Sequence, residues 1–146
     1  MIALACDHGG FALKEEIRKH LDEQKIAYED FGCYSTDSVD YPIYGAKAAH
    51  AVGEGRCDRG IVVCTTGIGI SITANKVHGV RCALCRDVLS AEMTRRHNNA
   101  NMLALAGGFT SGFEACRIVD TFLTTEFEGG RHQRRVDEIM ALETEV

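Results

Sequence analysis

The chain has 146 residues, 45% of them hydrophobic and 25% charged, enough apolar material to close the core of one domain spanning 1–146. A net charge of −5 excludes a general basic surface for nucleic acid; positive charge gathers locally in "RRH" (95–97) and "RHQRR" (131–135), which suits a small anion. No apolar run approaches the roughly 20 residues of a membrane span, and "MIALACDHGG" lacks the basic stretch of a signal peptide, so a cytoplasmic protein is expected.

Along the chain, "IALAC" (2–6) is a short apolar run and reads as a buried strand. "GFALKEEIRKHLDEQ" (10–24) sets Phe11, Leu13, Ile17 and Leu21 at helical spacing. "IAYEDF" (26–31) is a second strand, and residues 32–41 form a loop. Pro42, the only proline, sits where a helix's first turn tolerates it, and "IYGAKAAHAV" continues that helix. "GIVVC" (60–64) and "VRCALC" (80–85) are the third and fourth strands. Asp87 is placed to cap the helix "VLSAEMTRR". "NMLALA" (101–106) is the fifth strand, "SGFEACRIVDTFLTTEF" (111–127) a long helix, and "RVDEIMALE" (135–143) the last one.

Strands alternating with helices predict an α/β fold: a three-layer, Rossmann-like sandwich with a five-stranded parallel sheet and helices on both faces. In such sheets ligands bind beyond the carboxyl ends of the strands. Four segments qualify: "CDHGG", "CTTGIGIS", "CRD" and "AGGFTSG".

The most informative is "CTTGIGIS" (64–71). Glycines let the backbone approach a ligand and turn amide N–H groups towards one point. A helix starting near Ile68 would aim its positive end at the same place. Such a cradle stabilises negative charge on oxygen, and the same environment makes Cys64 a better base or nucleophile. A phosphate loop with an incidental cysteine, or a plain tight turn, fits the spacing equally well. The loop has neither the lysine of a Walker motif nor the third glycine of GxGxxG, where Ile72 stands.

In "CDHGG", Asp7 can shuttle protons between neighbouring hydroxyls and His8 can donate to an anion; the alternative is that Asp7 caps the next helix. His97 in "RRHNNAN" is an acid–base candidate or a solvated helix end. Arg131 and Arg135 lie four apart, on one helical face suited to gripping a phosphate, or simply on a solvated basic turn. The six histidines show neither HxH nor HExxH spacing, so no metal is expected. Seven cysteines, an odd number, sit mostly in apolar context. The Cys82/Cys85 pair falls in a strand, where residues three apart face opposite sides, so packing is a better reading than redox or zinc chemistry. The toolkit suits proton transfer on a small polyhydroxylated phosphate, with no cofactor.

The blocks "CDHGGFALK", "DYPIYG", "CTTGIGISITANKVHGVRCAL", "RRHNNANMLAL" and "EGGRHQRRV" resemble, in the same order, the ribose-5-phosphate isomerase B family, nearly end to end. Galactose-6-phosphate isomerase subunits share some of them. The resemblance implies aldose–ketose isomerisation of D-ribose 5-phosphate and D-ribulose 5-phosphate through an enediolate. It implies Cys64 as the base, with Thr66 and the amides of Gly67, Ile68, Gly69, Ile70 and Ser71 around the enediolate oxygen. Asp7 would carry the proton between O1 and O2, and His97 would open the furanose ring. His8, Arg131 and Arg135 would hold the phosphate, and Asn98 a substrate hydroxyl. It further implies homodimers with active sites shared between chains, His97 reaching across, and leaves open pairing into tetramers. Two departures bear on substrate: "CTTG" stands where the family usually has CGTG, and "AGGFTSG" offers Phe109 where relatives often carry an arginine. A six-carbon sugar phosphate (allose or galactose 6-phosphate) and a non-catalytic phosphate- or nucleotide-binding protein therefore stay open as alternatives.

Overall fold

The computed structural model describes residues 1–144. Every residue of strands β1 (Ile2–Cys6) and β5 (Met102–Ala106) is buried, as is all but the first residue of β3 (Arg59–Cys64). These three lie at the centre of one parallel sheet with the order β2-β1-β3-β5-β4, flanked by short edge strands β2 (Tyr28–Asp30) and β4 (Cys82–Leu84). The expected strands over 26–31 and 80–85 thus pair over only three residues each. A strand covered on both faces reads as a continuous apolar run, which is why the central three were legible and the edges less so.

The two faces differ in bulk. On one, Ile2, Leu4, Ile61, Val63, Leu103 and Leu105 pack with Leu13, Ile17 and Leu21 of helix α1 (Phe11–Glu23) and Ile118, Val119 and Phe122 of α5 (Gly112–Thr124). On the other, Ala3, Ala5, Val62, Cys64 and Ala104 meet Ala48, Ala49 and Val52 of α2 (Tyr41–Gly53) and Ile70 and Ala74 of α3 (Ile68–Asn75). Small side chains on this second face let α2 and α3 sit close to the sheet, and Cys64 faces them.

Three local features answer the sequence reading. Asp87 caps α4 (Val88–Met93) through a 2.7 Å bond from the Ser90 N–H to Oδ1. The helix expected to run to residue 96 instead passes into a π-helical turn, Thr94–Asn98, in which Arg95 is buried and donates to Asn99 Oδ1 and the carbonyl oxygens of Ala100 and Thr125. The last helix, α6 (Arg131–Ala141), starts four residues before the expected Arg135, directly after Gly129 and Gly130. "RHQR" carries no apolar periodicity, so its helical state was invisible in the pattern. Cys82 packs on the α2/α3 face and Cys85 on the α1/α5 face, and burial pushes the Cys82 thiol up to about 12 and that of Cys85 upward. The pair is packing material. Among the described residues no helix is long and apolar enough to cross a membrane.

Candidate active site

Register brings the loops together. Cys6 of β1 pairs with Val63, and Cys64 with Ala106, so the carboxyl ends of the three central strands finish side by side. The Asp7 N–H donates to the Val63 carbonyl (3.2 Å) and the Gly107 N–H to that of Cys64 (2.8 Å), stitching the segments after β1, β3 and β5. A cleft of about 390 Å³ opens here, lined by Asp7, Tyr41, Cys64, Thr65, Thr66, Ile68 and Gly69.

Cys64 ends β3, and its Sγ accepts the Gly67 N–H at 3.1 Å. That bond requires the chain to turn back immediately after the strand. Gly67 makes the turn at φ 75°, a region costly to any residue with a Cβ, and serves as the N-cap of α3. Thr66 Oγ1 accepts the Ile68 N–H at 3.2 Å. The Ser71 N–H donates to the Gly67 carbonyl and the Ser71 hydroxyl to that of Ile68. Of the five amides expected in the cradle, three are therefore engaged within the chain: Gly67 by Cys64 Sγ, Ile68 by Thr66 Oγ1 and Ser71 by the Gly67 carbonyl. The first-turn amides of Gly69 and Ile70 have no intrahelical acceptor, because a helix cannot supply one to its leading residues. The Ile70 side chain itself is fully buried.

Glycine at 69 has a spatial cause. A Cβ there would lie 2.5 Å from Cζ of Tyr41, whose ring covers the start of α3 and walls the cleft. Thr65, the residue in place of the family's glycine, is accommodated by its neighbours: a Cβ on Gly9 would strike its Oγ1, and one on Gly108 would stand 3.0 Å from its Cγ2.

Asp7 is 6% exposed and lines the cleft while its Oδ1 accepts the Gly10 N–H at 3.0 Å. The N-cap of α1 is Gly10, with no side-chain cap bond, so Asp7 does not cap the helix; one of its oxygens ties the loop that enters α1, and the other remains for a ligand. His8 Nδ1 accepts the Val39 N–H at 3.1 Å, which places the ring proton of the neutral imidazole on Nε2, as a donor.

The remaining candidates lie elsewhere within one chain. His97, Asn98, Arg131 and Arg135 do not line the Cys64 cleft. His97 closes the π-helical turn and stacks on His132 of α6, ring centroids 4.2 Å apart and planes 14° from parallel. Arg131 and Arg135 are exposed on the same helix. Glu128 lies beside the stack, its Oε1 3.4 Å from His132 Nε2 and 3.9 Å from His97 Nε2. Sequence spacing missed this trio because 34 residues separate its histidines, joined only by the packing of α6 on the π-helical turn. The three candidate ligand atoms lie within 4.8 Å of one another. Near-parallel rings keep their in-plane lone pairs from converging, so the arrangement suits acid–base chemistry better than a metal ion.

A thiol, a carboxylate and a row of helix-start amides meet at the carboxyl edge of a parallel α/β sheet, the place where sheets of this class bind their ligands. The chain belongs to the ribose/galactose isomerase family, whose model matches residues 2–139. It is 47% identical over 143 residues to ribose-5-phosphate isomerase B of Escherichia coli, covering 97% of this chain and 95% of that one. Its fold superposes on the Clostridium thermocellum ribose-5-phosphate isomerase B with a TM-score of 0.97, at 49% identity, covering 99% and 97% of the two chains. The Mycoplasma genitalium ribose-5-phosphate isomerase B, solved with bound ribulose-5-phosphate, superposes at 0.95, with 41% identity and coverage of 99% and 97%.

Proposed function

We propose that the chain, acting as one domain in the cytoplasm, interconverts D-ribose 5-phosphate and D-ribulose 5-phosphate with Cys64 as the base. The observation that carries this reading is the Cys64 sulfur at the lip of α3, held by the Gly67 N–H and sharing one cleft with Asp7. The thiolate takes the C2 proton of the open-chain aldehyde; the electron pair moves onto O1, giving an enediolate. The Gly69 and Ile70 amides and the Thr66 hydroxyl face that charge, and donors of this kind contribute on the order of 3 kcal/mol each. Asp7, through its free oxygen, carries the proton between O1 and O2, and the Cys64 thiol returns its proton to C1. His8 Nε2 donates to the phosphate.

The site is completed by a second copy of the chain. Its His97 opens the furanose ring, its Asn98 holds a hydroxyl, and its Arg131 and Arg135 grip the phosphate. Two features support this. These four residues sit on the π-helical turn and on α6, which pack together and away from the cleft. Around the cleft, Tyr41, Ile43, Ile68 and Ile72 expose apolar surface, Ile68 at 53% and Ile72 at 57%. Covering such half-exposed side chains favours association by on the order of 1 kcal/mol each before the entropy cost of binding. Sedimentation should find a dimer or a pair of dimers; a monomer at assay concentration with full turnover would refute the shared site.

The test of substrate is a panel of ribose 5-phosphate, allose 6-phosphate and galactose 6-phosphate, assayed with EDTA present. Highest kcat/KM on ribose 5-phosphate is expected. Preference for a six-carbon aldose would reassign the substrate within the same chemistry. Binding of phosphates or nucleotides without turnover of any sugar would replace the enzyme reading by that of a sensor.

A further inference from the structure

The stack of His97 on His132, with Glu128 beside both, is tighter than a lone acid–base imidazole needs. His97 is 36% exposed at its side chain and stands at the end of a turn, where a free imidazole would sample several rotamers. Two contacts restrict that freedom, and the second is itself anchored. The His132 ring, only 8% exposed, lies flat against it at 4.2 Å. The Glu128 carboxylate approaches the Nε2 edge of both rings. Glu128 is itself tied to the same turn: its N–H donates to the Arg96 carbonyl at 3.1 Å and its Oε2 lies 3.6 Å from Arg96 Nη1. The backbone bond fixes where the Glu128 side chain starts, and Arg96 draws its carboxylate back towards the turn that carries His97.

We propose that His132 and Glu128 are positioning residues that hold the His97 imidazole in the plane and orientation needed to open the sugar ring. The inference rests on the ring-opening reading given above for His97. His132 supplies the flat surface. Burial, the neighbouring His97 and Arg131 hold its imidazole below the ordinary histidine range, against the pull of Glu128. A neutral ring can stack on a partner that gains and loses a proton; a second imidazolium would be repelled from it. Glu128 engages one edge of His97 and leaves Nδ1, on the other side, for the sugar. The arrangement follows the general logic in which an acid–base histidine is oriented by a third group.

The experiment uses the full-length chain. His132→Ala should lower kcat on ribose 5-phosphate by about 10- to 100-fold, the scale of a misplaced catalytic group. Binding of ribitol 5-phosphate, an acyclic probe that has no ring to open, should stay within about twofold, because the phosphate grip and the amides are untouched. His132→Phe, which keeps a flat ring, should recover kcat to within about threefold of wild type, and Glu128→Gln should lose about 10-fold. In a His97→Ala background, His132→Ala should cost no further kcat, because a residue acting only through His97 has nothing left to orient. Parallel loss of ribitol 5-phosphate affinity and kcat would overturn the proposal in favour of a general structural role. So would a Phe variant as slow as Ala, or a full additional loss in the double variant. Full turnover by His97→Ala itself would instead sink the ring-opening assignment on which the stack depends.

Discussion

The cradle makes its sharpest quantitative claim at Gly67. Replacing it with alanine puts an L-residue at φ 75°, which costs about 1–2 kcal/mol. The new Cβ would also stand 2.5 Å from Leu84 Cδ1 and 2.9 Å from the Leu105 carbonyl carbon and oxygen. The leucine can move; the strand backbone of β5 cannot. Overpacking of this sort adds about 1–3 kcal/mol. The sum, about 2–5 kcal/mol, converts at roughly 3 °C per kcal/mol for a chain of this size to a Tm lowered by about 6–15 °C. Gly55 provides the comparison. Its φ is 80°, but no atom lies within 4 Å of a Cβ there, so Gly55→Ala carries the dihedral cost alone, about 3–6 °C. Catalysis should separate the two further. Gly67→Ala displaces the N–H that reaches Cys64 Sγ and the start of α3, so kcat should fall about 100-fold, while Gly55→Ala leaves it unchanged. Differential scanning fluorimetry and a ribulose 5-phosphate assay read both quantities. Equal Tm losses for the two variants, with full activity at Gly67→Ala, would refute the account of the turn as a tightly packed cradle.

Three further outcomes follow from the same geometry. Cys64→Ala should abolish ribose/ribulose 5-phosphate exchange while ribitol 5-phosphate still binds by calorimetry; turnover at the wild-type rate would remove the thiol from the mechanism. Burial raises the thiols of Cys6 and Cys82 to about 12 and that of Cys85 upward, so brief alkylation at neutral pH, read by mass spectrometry, should leave all three unmodified. Asp87, at the N-cap of α4, is held below the ordinary carboxylate range by its bonds from Ser90, backbone first. A lowered folded-state value means the carboxylate stabilises the fold above pH about 4 and loses that contribution as pH falls through the folded value. Asp87→Asn should therefore flatten part of the acid limb of a stability–pH curve, and an unchanged limb would count against the cap.

The central sheet was legible from residues 2–6, 60–64 and 101–106, because strands buried on both faces must be apolar throughout. The loops at their carboxyl ends were legible too, since a thiol followed by alternating glycines has few uses, and α3 does begin at Ile68 as the cradle needs. The edge strands were legible in place but not in length, since each pairs over only three residues; the polar first turn of α6 was not legible, because it carries no periodic apolar signal. Hydrogen-bond direction also escaped the sequence: it cannot say that the Ser71 amide is committed within α3 or that Asp7 divides its two oxygens between a helix entry and the cleft.

Sequence by itself determined the inventory: a parallel α/β sheet, one thiol at a strand end, and the histidines, carboxylates and arginines around it. Local pattern is enough for this because burial and turn chemistry act over a few residues. Only the tertiary structure decided the grouping. It joined Asp7 to Cys64 across 57 positions through strand register, stacked His97 on His132 through helix packing, and kept that second group out of the first cleft. Such proximities arise from how elements pack in three dimensions, and no spacing along the chain encodes them.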